Sequence, residues 1–436
     1  MKFKFFLVLS LGLVVSFSLK AQLLASNYKN VYLRNIDELE ILEQIENAGA
    51  SCSWYNLQSI LDDCISNFSG SKDVSVAITQ WLNENHSIYL GKSPTEVRQF
   101  RGYLIYSLSK FIPTHDLFTY VSYELQTSTK VFNIAAAAHT AKILNTNVNE
   151  IINHLNNQLI RIIQDEWVDI TTYTLDYPLN KPTKAKHEII KTLDEFGSAA
   201  QTSIHLLNEI IENENKRPVD KDTKLIELAK NALQSIKAKR QLPMCCQKDV
   251  LLISNTDSNS PKIIDKEDRN SIPPIDGASL IDQNGDKIDF NDLTGKPFIL
   301  TFFYTSCSNA LKCASTIEKL TNLQKLIEKS NMANKVSIYA MTYDPDFDTP
   351  EVLKRYGKAF GVKFTDNFKF LIPVQDYKNQ FFNALDLKVN YGVGSVNHHG
   401  TQLFVCDHHG NIAVAYQNTI WKNNDLLQKL KIILKE

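Results

Sequence analysis

Two cysteines stand where an apolar run gives way to a helical pattern. The run reads Lys296-Pro-Phe-Ile-Leu-Thr-Phe-Phe-Tyr-Thr-Ser-Cys307, five residues follow, and then comes Cys313. A stretch so rich in Phe, Ile and Tyr predicts a buried strand. From Ala314 through Leu320, Leu323, Leu326 and Ile327 the apolar positions recur at helical spacing. A helix N-terminus carries partial positive charge and free N–H groups, so it favours thiolate over thiol. A thiolate attacks disulfides and binds soft metals, so this pair points to redox or metal chemistry. A purely structural disulfide in a secreted domain is the alternative.

Other donors are spread along the chain. Seven cysteines is an odd number, which leaves at least one thiol free or paired outside the chain. On one continuous helix Cys52 and Cys64 would lie roughly 18 Å apart, too far to bridge each other. They could pair with Cys245 and Cys246 in Pro-Met-Cys-Cys-Gln, stapling the two ends of the helical region. Alternatively, Cys245 and Cys246 form an accessory thiol pair that feeds Cys307. Cys406 falls in a strand pattern and reads as an inert buried thiol. His86, His115, His139, His154, His187 and His205 show no paired spacing and read as structural. His398 adds a further imidazole near the C-terminal strands, and His408 and His409 read as solvated turn residues. The net charge of −1 and pI near 6.8, with no basic tract, argue against a nucleic-acid partner.

Elements must position the two thiols, and the chain supplies them in two blocks. It opens with a short basic start, an apolar run from Phe5 to Leu19 and a cleavage-like Ala21, which reads as a secretory signal peptide over 1–21. The protein is therefore expected to be exported, periplasmic, and either soluble or held by an uncleaved N-terminal anchor. Its thiols would meet an oxidising compartment. With 436 residues and 43% hydrophobic composition, two or three packed domains are expected. Residues 27–243 read as an all-helical domain built from paired helices. The pairs are Pro94–Phe111 with Asp116–Gln126, Thr129–Leu144 with Val148–Ile163, and Thr183–Phe196 with Ala199–Asn213, followed by Asp222–Ala238. No pair can bury its own apolar face, so the pairs must stack, either as a HEAT-like solenoid or as a plain bundle. Such a module suits binding or docking rather than catalysis.

Residues 254–271 are rich in Asn, Asp, Ser and Lys and read as a linker that lets the two blocks reorient. From 272 to 436 strands alternate with helices. Asn284-Gly285 between apolar flanks predicts a hairpin over Ser279–Ile288. Strands follow at Phe298–Tyr304, Val336–Thr342, Gln402–Cys406 and Ile412–Tyr416, with helices after Cys313, over Pro350–Phe360 behind an Asp348 or Thr349 cap, and over Asn424–Leu434. That order predicts a thioredoxin-like α/β domain behind the helical one.

Three stretches of this domain resemble the SCO/SenC family of thioredoxin-fold copper proteins. Leu300-Thr-Phe-Phe-Tyr-Thr-Ser-Cys307 is similar to the family's active strand. Tyr343-Asp-Pro-Asp-Phe-Asp-Thr-Pro-Glu-Val-Leu353 is similar to its Asp-Pro-x-x-Asp-Thr-Pro segment. Asn397-His-His399, then Thr401–Val405 and an Asp-x-x-Gly turn, is similar to its ligand histidine and the strand after it, with His399 rather than His398 as the counterpart. The resemblance covers roughly the last third of the chain. It implies that Cys307, Cys313 and His399 bind copper, as Cu(I) or Cu(II), and that Asp344 orients ligands or tunes the thiols. It also implies a protein partner such as a cytochrome oxidase subunit. The chain departs from the family in spacing its cysteines by five residues where three are usual, and in carrying Ser308 and Ala314 where prolines are usual. The longer loop predicts Cys313 at the helix start and Cys307 on a flexible arm.

Three functions are compatible with these residues. The first is an exported SCO-like metallochaperone that delivers copper or reducing power, with its helical region recruiting the partner. The second is an exported, metal-free thiol–disulfide oxidoreductase in which Cys307 attacks and Cys313 resolves. The third is an adaptor without chemistry, against which the retention of both cysteines and the histidine argues.

Overall fold

The computed structural model describes residues 37–173, 178–238, 260–272, 279–392, 395–418 and 421–436. The expected signal peptide, Cys245, Cys246 and residues 254–259 of the expected linker lie outside the described residues.

The first block is helical, as expected. After α1 (residues 37–46) come α2 (Trp54–Phe68), α3 (Lys72–Gln80), α4 (Pro94–Leu108), α5 (His115–Thr127), α6 (Val131–Ala141), α7 (Val148–Arg161), α8 (Ala185–Phe196), α9 (Ile204–Lys216) and α10 (Thr223–Lys237). Starts are set by side-chain caps. Ser93 and Glu96 form a reciprocal capping box ahead of Pro94 on α4, and the Thr114 hydroxyl accepts from Leu117 N–H on α5. Helices α4, α6, α8 and α10 pack in succession, with α5 and α7 against them, which makes a two-layer stack. Ala135 to Ala138 are fully buried, so α6 can approach neighbours on two sides. Gly102 serves the same contact on α4. A Cβ there would meet the Phe132 ring at 2.5 Å, well inside van der Waals distance.

The second block is built on one mixed sheet of order β2-β1-β5-β4-β3-β8-β9. Its strands are β1 (Ser279–Asp282), β2 (Lys287–Asp289), β3 (Phe298–Phe303), β4 (Ser337–Thr342), β5 (Phe368–Pro373), β8 (Gln402–Cys406) and β9 (Ile412–Gln417), and β6 (Val389–Gly392) with β7 (Ser395–His399) forms a separate ribbon. Every residue of β3 is buried, with β4 parallel on one side and β8 antiparallel on the other. Its run, apolar but for Thr301, whose hydroxyl donates to the Gln402 carbonyl, follows from burial on both faces. The helices are α11 (Ser315–Lys329), which packs on α14 (Asn423–Ile433), and α12 (Pro350–Ala359) and α13 (Gln375–Ala384), which pack on β5. This is the expected thioredoxin-like architecture.

Three features differ from the sequence reading. Strand β5, α13 and the β6–β7 ribbon were not anticipated. The ribbon is short and polar, with Asn390, Asn397, His398 and His399 in place of an apolar alternation. The second half of the expected linker is tied down. Ser260 donates to Asp425 at 2.6 Å, Ile264 N–H to the Ala413 carbonyl at 2.8 Å, and Arg269 pairs with Asp407 at 3.2 Å and Glu436 at 2.7 Å. Finally, the two blocks are in contact rather than separated by a free linker: Gly91 N–H donates to the Tyr391 carbonyl at 3.1 Å and Asn390 to the His86 carbonyl at 3.0 Å.

Candidate metal and thiol site

Strand β3 ends at Phe303 and delivers Cys307 four residues later, just past the sheet edge. A π-helical turn, Ala310–Ala314, then carries Cys313 into α11. Among the described residues one group of donors is spaced to hold a metal ion. The sulfurs of Cys307 and Cys313 and a ring nitrogen of His399 all lie within 4.8 Å of one another. His399 Nε2 is 3.5 Å from each sulfur. Its Nδ1 sits 2.6 Å from the Gly400 carbonyl oxygen, which can only accept. Nδ1 therefore carries a proton and donates it to that carbonyl, and Nε2 is the ring atom that faces the sulfurs. The rings of Tyr304 and Tyr343 stand 5.3 and 5.2 Å from the imidazole and wedge it in place.

The two thiols are unequal. Cys313 is fully buried and Cys307 half-buried, and neither is bridged. The Cys313 thiol, donating toward Cys307, lowers the Cys307 pKa, with His399 and the Asn309 backbone adding to it against the opposing effect of burial. Burial drives Cys313 the other way, and the negative Cys307 beside it adds to that rise. The pair thus holds one thiolate at Cys307 and one proton at Cys313. The helix N-terminus, the only source of thiolate stabilisation legible in the sequence, is joined here by two side chains.

The five-residue spacing does not produce a flexible arm. Asn309 Oδ1 accepts from Leu311 N–H at 3.0 Å to cap the π-turn, and its amide donates to the Thr127 carbonyl at 2.9 Å. Lys312 is buried and donates to the His399 carbonyl at 3.0 Å. The extra residues are absorbed as a wide turn, a common use of π geometry at functional sites.

The carboxylates fall differently from expectation. Asp344 makes no hydrogen bond to the three donors; its amide and carbonyl organise the turn to Asp348 instead. Thr349 caps α12, its hydroxyl accepting from Val352 N–H. Asp348 is fully buried and accepts from Thr305 N–H at 3.1 Å and from the Thr305 and Thr342 hydroxyls. It clamps the start of the Cys307 loop to the end of β4. Its position before a helix suggested only a cap, so this role was missed, as were those of Tyr304, Tyr343 and Lys312. His398 points away from the donors and lies 3.9 Å from Glu84 of the helical domain. His408 and His409 are exposed on the β8–β9 turn, outside the cluster. Among the helix histidines, His139 pairs with Glu188 at 2.9 Å and His187 with Asp222 at 3.0 Å. Cys406 is buried in β8, and burial pushes its thiol well up, as befits an inert residue.

Residues 276–435 match the family model described as SCO1/SenC. A SCO2-like protein of Rickettsia typhi is 37% identical over 105 residues, which is 21% of this chain and 50% of that protein. The chain thus spans about half the length of that relative. BsSco, a member of the Sco family of cytochrome c oxidase assembly proteins with a disulfide switch, is similar over 40% of this chain and 98% of its own, at 21% identity and a TM-score of 0.34. The ScoI of Bradyrhizobium japonicum with copper bound is similar over 36% of this chain and 98% of its own, at 20% identity and a TM-score of 0.30.

Proposed function

From the SCO1/SenC match of residues 276–435, we propose that this protein is an exported copper-binding protein that delivers copper to a partner such as a cytochrome oxidase subunit. The observation that carries the reading is the donor set. Two sulfurs and the Nε2 of an imidazole held through its Nδ1 by the Gly400 carbonyl lie within 4.8 Å of one another. Soft thiolates with one imidazole suit copper, above all Cu(I), over hard cations. The residues fit without rearranging the fold, since the imidazole is fixed by Gly400, Tyr304 and Tyr343. The thiolate at Cys307 supplies one ligand at neutral pH, and binding releases the proton held at Cys313. Oxidation of the pair to a disulfide removes both sulfur ligands, so thiol redox state gates loading. Export and a periplasmic setting, with or without an anchor, are part of this proposal and rest on the N-terminal sequence.

A second reading, thiol–disulfide exchange, is favoured by the unequal thiols. The Cys307 thiolate would attack a partner disulfide and expel one partner thiolate. Cys313, giving up its proton, would attack the Cys307 sulfur and release the second. The partner gains two electrons and the protein ends as the Cys307–Cys313 disulfide.

Anaerobic copper titration of the reduced full chain separates these readings. One tightly held copper per chain, abolished in Cys307→Ser and weakened in His399→Ala, is the expected result. Unchanged stoichiometry in both variants would sink the copper assignment. No retained copper, together with a partner trapped as a mixed disulfide on Cys307 in Cys313→Ser, would move the function to exchange.

A further inference from the structure

The donors do not face open solvent, because the helical domain sits over them. Residues of the loop between the cysteines make part of that contact. Asn309 donates to the Thr127 carbonyl at the end of α5 at 2.9 Å, and the Lys312 ammonium lies 4.9 Å from the Tyr123 ring centre. From the β6–β7 ribbon, Asn397 donates to the Tyr89 and Lys92 carbonyls at 2.7 and 3.0 Å. Behind them, Glu84 is fully buried, paired with Arg101 at 3.3 Å, and receives the Asn418 amide at 3.1 Å across the interface. Parting the domains would take Asn418 from Glu84, Tyr123 from Lys312, and an amide from each of several carbonyls. Groups left unpaired in this way are costly unless water replaces every partner.

Cys307 opens instead onto a cleft between the domains, lined among others by Arg98, Thr127, Lys130, Asn133, Ser308 and Asn309. The cleft offers about 60 Å³ of accessible space, enough for a few waters and too little for any folded surface. We propose that the helical domain is an intramolecular cap on the thiol–imidazole site, docked on the β6–β7 ribbon and on Asn309 and Lys312 between the two cysteines. The cap admits ions and small thiols through the cleft and excludes a folded protein until the two domains part. The loop between the cysteines and the added domain then work together, since two of the five loop residues, Asn309 and Lys312, reach Thr127 and Tyr123.

The test reads thiol access and needs no copper, so it stands or falls apart from the copper assignment. Reduced, metal-free full chain is treated with iodoacetamide or with a folded protein bearing a surface maleimide. Modification of Cys307 is followed by peptide mass spectrometry, and each rate is divided by the same reagent's rate with an exposed model thiol. The normalised rate of the bulky reagent is expected to be at least about tenfold below that of the small one, the ratio that ~1.4 kcal/mol of interface opening produces. Asn390→Ala with Tyr123→Leu removes one cross-domain amide bond and the ring beneath Lys312, and should raise the bulky rate about tenfold while leaving the small one unchanged. Equal normalised rates in the native chain would overturn the cap. An unchanged ratio in a double variant that circular dichroism shows to be folded would do the same. Should the double variant unfold, the ratio in the native chain decides alone.

Discussion

Replacing Asp348 tests whether the Cys307 loop is held from below. Asp348→Ala strips the acceptor from Thr305 N–H and from the Thr305 and Thr342 hydroxyls, at a fully buried position. A buried donor left without a partner costs ~1–3 kcal/mol. The hydroxyls can rotate to other acceptors and the amide cannot, so the total should be about 3 kcal/mol. Asp348→Asn keeps one carbonyl oxygen for the Thr305 amide. Burial outweighs the three donors and holds the native carboxyl above its ordinary range, so the neutral amide also relieves part of the cost of burying charge. That variant should lose only about 1 kcal/mol. The chain carries its own probe for the assay, because Cys406 is fully buried in β8 of the same sheet. Pulsed alkylation of Cys406 against urea follows this domain without interference from the helical one. With a slope of ~2 kcal/mol per molar urea, Asp348→Ala should lower the midpoint by ~1.5 M. A midpoint within ~0.3 M of the native one would refute the clamp, since the lost bonds would then have been worth almost nothing.

Further outcomes follow for the helical domain. Burial raises the Glu188 carboxyl, yet His139, Lys142 and Lys191 together overcome it and hold the group far below its ordinary value of 4.5. A depressed carboxyl contributes stability in full above its unfolded value and loses it as pH falls. The melting temperature should therefore drop as pH falls below 4.5, and Glu188→Gln should flatten that drop; parallel profiles would exclude Glu188 as its source. Gly102→Ala forces a methyl against the Phe132 ring. It should cost about 1–3 kcal/mol of stability by thermal melting, with part recovered by Gly102→Ala/Phe132→Leu.

Much of the protein is legible in its sequence because the relevant signals are local. Helical periodicity separates the first block from the strand-rich second one, and Asn284-Gly285 announces the β1–β2 hairpin that the structure forms. The run from Phe298 to Phe303 is apolar but for Thr301 because it is an interior strand, buried on both faces. The identities of Cys307, Cys313 and His399 are likewise written in the chain, through residue type and motif. Their convergence is not. The imidazole lies 86 residues beyond Cys313 on a polar ribbon with no periodic pattern, and its orientation depends on the Gly400 carbonyl and two aromatic rings. Asp348 reads as a cap because its true partners lie elsewhere, Thr305 in the loop after β3 and Thr342 at the end of β4. The five residues between the cysteines look like slack until Thr127 and Tyr123 of the other domain are seen beneath them. Sequence therefore determined which groups exist and which elements carry them. Tertiary structure alone decided which polar side chains meet and what covers them, because a hydrogen bond to a distant backbone carbonyl leaves no trace in the spacing of either partner.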